Sequence, residues 1–162
     1  MTDPGMTIRK STVLRAPLAR VWAAVSDSAR FGAWFGAEFD GPFVAGTTVS
    51  ARIRPTTVDA EVARLQEPHT GLPFTVVIER VEAPTTLAFR WAPHGTGSPD
   101  HPDDPTTLVT FTLAADGDDT RLTIVEAGFE HIPLERRAQA FTANDGGWTH
   151  QTRLIDRYLA RG

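Results

Sequence analysis

No cysteine occurs in the 162-residue chain. That excludes a disulfide framework and any thiolate metal site, and it fits a reducing compartment. The expected location is cytoplasmic. Lysine is almost missing too, Lys10 being the only one, so arginine supplies nearly all positive charge. The net charge of −4 is spread over interleaved acidic and basic residues. No basic stripe of the kind that neutralises a phosphate backbone exists, which argues against a nucleic-acid partner. No apolar run approaches the roughly 18 residues of a membrane span, and Met1 to Lys10 has no apolar leader core, so no membrane partner is expected. Also missing are a flavin or nicotinamide fingerprint, a Gly-x-Ser-x-Gly nucleophile elbow and an established zinc spacing. Neither a cofactor nor a metal is expected.

What is present, 41% hydrophobic residues in 162, suits a single domain over 1–162, with 1–6 expected to be disordered. A chain of this length hides roughly 70% of its unfolded surface on folding and needs no staples. Ile8 to Leu14 reads as a strand that ends at Ala16-Pro17. Leu18, Val21, Trp22 and Val25 then recur at helical spacing, and a second short helix from Ser28 carries Phe31 and Trp34 to a break at Gly36. From Glu38 to Leu113 the period is two. Val49, Ala51 and Ile53 share one face, as do Phe74, Val76 and Ile78, then Leu87, Phe89 and Trp91, then Val109, Phe111 and Leu113. Pro55 to Pro73 and Ala92 to Pro105 read as surface loops, and Asp116 to Asp119 as a tight hairpin turn. After Phe129 a short helical stretch from Leu134 to Phe141 is expected. Asn144 or Asp145 would then cap a final helix from Gly146 to Ala160, about 22 Å long at 1.5 Å per residue. On it Trp148, Thr152, Ile155 and Leu159 form one stripe, flanked by Gln151, Leu154 and Tyr158.

A β-α-α-β-β-β-β-β-α order with a long last helix predicts an α+β domain, an antiparallel sheet bent around that helix. Several segments carry a resemblance over almost the whole chain. They are Ala16-Pro17 with Val21-Trp22, Phe31 to Gly36, Gly41-Pro42-Phe43 with Gly46, Val81 to Pro84, Phe89-Arg90-Trp91, Thr106 to Val109, and Glu126 through Trp148. In these the chain resembles the START-like, helix-grip proteins of the SRPBCC superfamily. Within it the chain is similar to the bacterial branch grouped with the C-terminal domain of the activator of the heat-shock-protein-90 ATPase. The resemblance implies a curved antiparallel sheet wrapped around the C-terminal helix, two short helices after strand one, and a cavity between sheet and helix. It implies a small hydrophobic or aromatic ligand held there by a carrier or sensor, in a monomer or homodimer. An alternative is an enzyme of the polyketide cyclase/dehydratase or hydrolase kind, and a further one is a chaperone-activating, protein-binding domain. The family pattern has an apolar residue one turn after the tryptophan of the last helix, where this chain has Thr152.

Glu126 is the most chemically interesting residue. Strand alternation puts it on the face of Leu122 and Ile124, so a carboxylate points inward and needs a partner, with Arg80, Arg137, Asn144 and Gln151 as candidates. Three roles remain open: a pin between the last strand and the following helix, a ligand-binding group, or a general base in a dry pocket. The residues expected to border the cavity are Trp34, Phe35, Arg80, Phe89, Trp91, Phe111, Glu126, Phe129, Phe141, Trp148, Gln151, Thr152 and Ile155. The aromatics among them also suit ordinary core packing. His94 and His101 with Asp100, Asp103 and Asp104 read as a solvated loop, and His69, His131 and His150 show no convergent partners.

Overall fold

The computed structural model describes residues 6–92 and 105–161. Strand β1 (Ile8–Leu14) leads into α1 (Leu18–Ser26) and α2 (Ser28–Phe35). Asp27 separates the two helices and caps the second, accepting from the amides of Ala29 and Arg30 at 3.0 and 3.2 Å. Gly36 ends α2 in the left-handed region at φ 100°, a conformation that glycine adopts without steric penalty. Strands β2 (Ala37–Phe39) and β3 (Thr48–Ile53), helix α3 (Ala60–Gln66) and strands β4 (Pro73–Glu82) and β5 (Thr86–Trp91) follow. The chain then runs through β6 (Thr107–Asp116), β7 (Asp119–Ala127) and α4 (Leu134–Ala160).

Seven antiparallel strands make one curved sheet in the order β1-β7-β6-β5-β4-β3-β2. Every consecutive pair from β2 to β7 is adjacent, and β1 returns to close against β7. The sheet's inner face carries Val49, Val76, Ile78, Leu87, Phe89, Val109, Phe111, Leu113, Leu122 and Ile124, all buried. Trp148, Leu154, Ile155 and Leu159 of α4 are buried in the same core cluster, as are Phe31 and Trp34 of α2. Gly117-Asp118 closes the β6–β7 hairpin between the paired Asp116 and Asp119.

Three expectations about the elements change. Pro55 to Pro73 is not only a loop: Asp59 accepts from the Val62 amide at 3.0 Å and starts α3, which buries Val62. A 3-10 turn over Glu67–His69 follows it. The final helix does not begin at Asn144 or Asp145. It is continuous over 27 residues, about 40 Å at 1.5 Å per residue. It passes straight through Gly146 and Gly147, each of which costs an α-helix about 1 kcal/mol relative to alanine. The third change is a β-bulge. β4 pairs Ile78 with Phe89 but Arg80 with Ala88, leaving Glu79 as the additional residue. Up to Ile78 the even-numbered residues face inward, and after the bulge Val81 does. Arg80, expected beside the cavity, is thereby turned outward, where its Nε lies 3.7 Å from Glu82. Of the second expected loop, the stretch with His94, Asp100, His101, Asp103 and Asp104 lies outside the described residues.

Candidate functional site

The inner face of the sheet and the middle of α4 converge on one carboxylate. Glu126 is fully buried. Its Oε2 accepts from the indole Nε1 of Trp91 at 2.8 Å and from the Thr107 hydroxyl at 2.5 Å. Its Oε1 accepts from the indole Nε1 of Trp148 at 2.8 Å. The Asn144 amide nitrogen is shared between the two oxygens, 3.0 Å from each. Three adjacent strands and the helix each contribute: Trp91 from β5, Thr107 from β6, Glu126 from β7, Asn144 and Trp148 from α4.

Local structure explains each placement. Trp91 and Thr107 are cross-strand partners in the β5–β6 register, and Glu126 pairs with Val109 one step further along. Alternation therefore puts all three side chains on the concave face. Asn144 and Trp148 are four residues apart, so they project from the same side of α4. The two indole rings stack at 5.7 Å and 28°. Each N–H then reaches a different oxygen of the same carboxylate. All of these donors are neutral, and charge-assisted hydrogen bonds from neutral groups are a sufficient replacement for water around a buried ion when every lone pair is engaged.

Of the four partners that sequence reasoning offers for Glu126, Asn144 is the one observed. Arg80 is outward-facing. Arg137 instead donates to the carbonyl oxygens of Ile132 and Glu130 at 3.2 and 3.0 Å, bracing the turn before α4. Gln151 donates from Nε2 to the Phe35 carbonyl at 3.0 Å. Its Oε1 is buried and has no hydrogen-bond partner among the described residues. Thr107 and the tryptophans as donors are missed by the sequence reading. The alternation of Thr107 with Val109, Phe111 and Leu113 is the signal that places Thr107 inward.

Next to the carboxylate is a cleft of about 80 Å³, bounded by Phe35, Trp91, Asn144, Gly147, Trp148 and Gln151. The remaining residues expected around a cavity lie elsewhere. Trp34 is wholly buried and its indole N–H donates to the Ala24 carbonyl at 3.0 Å. Phe89, Phe111, Phe129 and Ile155 are buried in the core, and Phe141 packs edge-on against Phe129 at 5.1 Å. The Thr152 hydroxyl donates to the Thr149 carbonyl one turn back at 2.9 Å, so its polarity is absorbed by its own helix. Among the described residues, aromatic rings occupy much of the space between sheet and helix, where a cavity was expected. Phe31 alone makes ring contacts with Trp34, Phe35, Phe39, Phe43, Phe89 and Phe111 at 4.6 to 6.5 Å.

Among the described residues no group of three or more His, Asp or Glu side chains is arranged to hold a metal ion. No described helix is long and apolar enough to cross a membrane.

The same arrangement of sheet and helix recurs in solved structures. A protein from Arthrobacter aurescens superposes with a TM-score of 0.73 at 19% identity, covering 100% of this chain and 92% of that one. DynU16, a protein in the dynemicin biosynthetic locus, gives 0.68 at 25% identity over 97% of this chain, which spans 48% of DynU16. The Aha1 dimer from Colwellia psychrerythraea gives 0.62 at 11% identity, covering 93% and 92% of the two chains. A comparison with curated proteins returns no match. The profile of the family described as "Activator of Hsp90 ATPase homolog 1-like protein" matches residues 15–160, nearly the whole chain. With the helix-grip architecture and the Glu126 to Trp148 segment inside that match, this chain belongs to the activator of Hsp90 ATPase homolog 1-like family.

Proposed function

We propose that this protein binds a small planar apolar or aromatic molecule, without transforming it, in the cleft over Gly147. The observation that carries the reading is the glycine itself. A Cβ added at Gly147 would meet nothing within 4 Å, so packing does not require glycine there. Glycine in the interior of an α-helix nevertheless costs about 1 kcal/mol. A residue that weakens the helix and leaves open space beside the packed rings of Phe35, Trp91 and Trp148 is accounted for by an occupant of that space. The indole faces offer rigid apolar surface for such a ligand. A cavity of about 150 Å³ is what encloses a benzene ring. The cleft is about half that, so the ligand inserts an edge and keeps part of its surface in solvent.

A catalytic role for Glu126 is disfavoured by the same geometry. General-base chemistry needs a lone pair within reach of a substrate proton. Glu126 has no exposed surface, and each of its oxygens already accepts at least two hydrogen bonds. The structural neighbour in a biosynthetic locus supports a small molecule over a chaperone as the partner.

The test is titration of the full chain with phenol and 2-naphthol, read by the indole N–H resonances of Trp91 and Trp148 in ¹H–¹⁵N spectra. Saturable shifts at both indoles, lost in Gly147→Ala, are expected. Indole signals that stay put through millimolar phenol and naphthol would sink the reading.

A further inference from the structure

A second cleft lies at the other end of α4, independent of the Glu126 cluster, and its chemistry differs. It measures about 280 Å³ and is formed where α1, α2, the segment before α3 and the end of α4 meet. Its floor is apolar: Ala24, Val58 and Leu159 are all buried. Three arginines, Arg20, Arg30 and Arg161, also line it, together with Tyr158. This concentration of one sign occurs in a chain whose net charge is −4.

Among the described residues, two acidic groups lie near the rim of the cleft, one loosely paired with Arg30 and the other held by groups outside the cleft. Asp27 uses Oδ1 to cap α2 through the Ala29 and Arg30 amides, and its other oxygen stands 3.9 Å from the Arg30 Nε. Asp59 is occupied by the Val62 amide and by the Arg157 guanidinium at 2.7 Å. Arg20 donates to the Leu159 carbonyl at the end of α4. That bond uses one of the five N–H donors of its guanidinium and tethers the group to Leu159, another residue of the cleft. Side chains so placed, with forked donors matched to planar or tetrahedral oxyanions, are suited to bidentate recognition.

We propose that this cleft binds a small organic anion, a carboxylate or phosphate ester whose charged head meets Arg20, Arg30 and Arg161 and whose apolar body rests on Ala24, Val58 and Leu159. The apolar floor separates this from a site for a bare inorganic ion. The volume, just below the usual range of about 300–1,000 Å³ for drug-sized ligands, limits the body to about one ring or a short chain. Binding weakens with added salt, because the rim is open to solvent and the Debye length is about 10 Å at 0.1 M ionic strength.

The experiment is a titration of the intact chain with benzoate, phenyl phosphate, benzyl alcohol and inorganic phosphate, followed by ¹H–¹⁵N spectra that include the arginine Nε–H signals. The expected result is saturable shifts at Arg30, Val58 and Tyr158 with benzoate and phenyl phosphate. Benzyl alcohol should bind roughly tenfold more weakly, the factor set by loss of one strong charge-assisted contact. Arg30→Gln should weaken the anions by a similar factor. Its side chain is 56% exposed, so the fold is expected to survive. Whether phenyl phosphate or benzoate binds more tightly, the proposal stands and the order assigns the head group. Benzyl alcohol binding as tightly as benzoate, inorganic phosphate matching phenyl phosphate, an unchanged affinity in Arg30→Gln, or no saturable shift would each overturn it.

Discussion

Replacing Glu126 by glutamine keeps the shape of the side chain and exchanges one carboxylate oxygen for an NH2 group. Oε1 accepts from Trp148 and Asn144, and Oε2 from Trp91, Thr107 and Asn144. Whichever place the amide nitrogen takes, an indole N–H then faces another N–H, and both donors lose their partner. Each orphaned buried donor costs about 1–3 kcal/mol. The bonds that survive lose charge assistance, while relief of the buried charge offsets part of the cost. The net loss expected is about 3 kcal/mol, a large share of the roughly 5–15 kcal/mol that holds a domain together. At about 2–4 °C per kcal/mol for a domain of this size, the melting temperature should fall by roughly 6–12 °C. Urea unfolding followed by far-UV circular dichroism measures the loss, and the near-UV spectrum reports the Trp91–Trp148 stack. A change below about 1 kcal/mol with the near-UV spectrum intact would refute the reasoning, because it would mean that the donors have other partners.

Gly147→Ala should act in two opposite directions. With open space for the Cβ, helix stability rises by about 0.5–1 kcal/mol, while affinity for phenol falls, so melting and titration curves on one sample check both. Trp148→Ala removes a side chain only 2% exposed and should cost about 3–5 kcal/mol in chemical unfolding. Gly36→Ala forces a side chain into φ 100° and puts its Cβ 2.3 Å from the Gln66 amide nitrogen. Gln66 itself is fastened to the Phe35 carbonyl and the Thr56 amide. A loss above about 1 kcal/mol is expected by thermal melting. For Asp59, the Val62 amide and then the Arg157 guanidinium hold the carboxyl below its ordinary 3.8. Its contribution is therefore complete above 3.8 and fades as the pH drops through the lower folded value. Asp59→Asn, which still caps α3, should flatten this acid limb in unfolding midpoints measured from pH 5 downward.

How much of this was written in the sequence depends on the range of the interaction involved. Helices α1 and α2, the alternation on β3, β5 and β6, and the Gly117-Asp118 turn follow from local pattern, and the structure has them where the pattern puts them. The inward carboxylate of Glu126 follows from period two alone. Its partners do not, because Trp91, Thr107 and Trp148 are brought together by sheet register and by the seating of α4, neither of which is local. The bulge at Glu79 was detectable in principle: Ile78 and Val81 flank two consecutive charged residues, a break in alternation that moves Arg80 outward. Helix α3 was hidden by the prolines around it, although Val58 and Val62 sit four apart and Asp59 offers a cap. Gly146-Gly147 suggested a helix start because local propensity disfavours glycine. The contacts of Asn144 and Trp148 on either side outweigh that preference. The filled interior was not legible either, since ring-on-ring packing at Phe31 depends on side-chain directions from four elements.

The neutral cradle around Glu126 bears on how the protein comes apart. A buried carboxylate held only by N–H and O–H donors from β5, β6 and α4 loses part of its compensation whenever one of those elements leaves alone, most of all α4, which supplies both partners of Oε1. Peeling α4 off by halves is therefore costlier than losing it as a unit. The amides around Asn144 and Trp148 should exchange with solvent deuterium only through global unfolding, while the first turn at Leu134, which is 75% exposed, opens on its own. One side chain on β7 thus ties β5, β6 and the middle of α4 into a single unfolding unit.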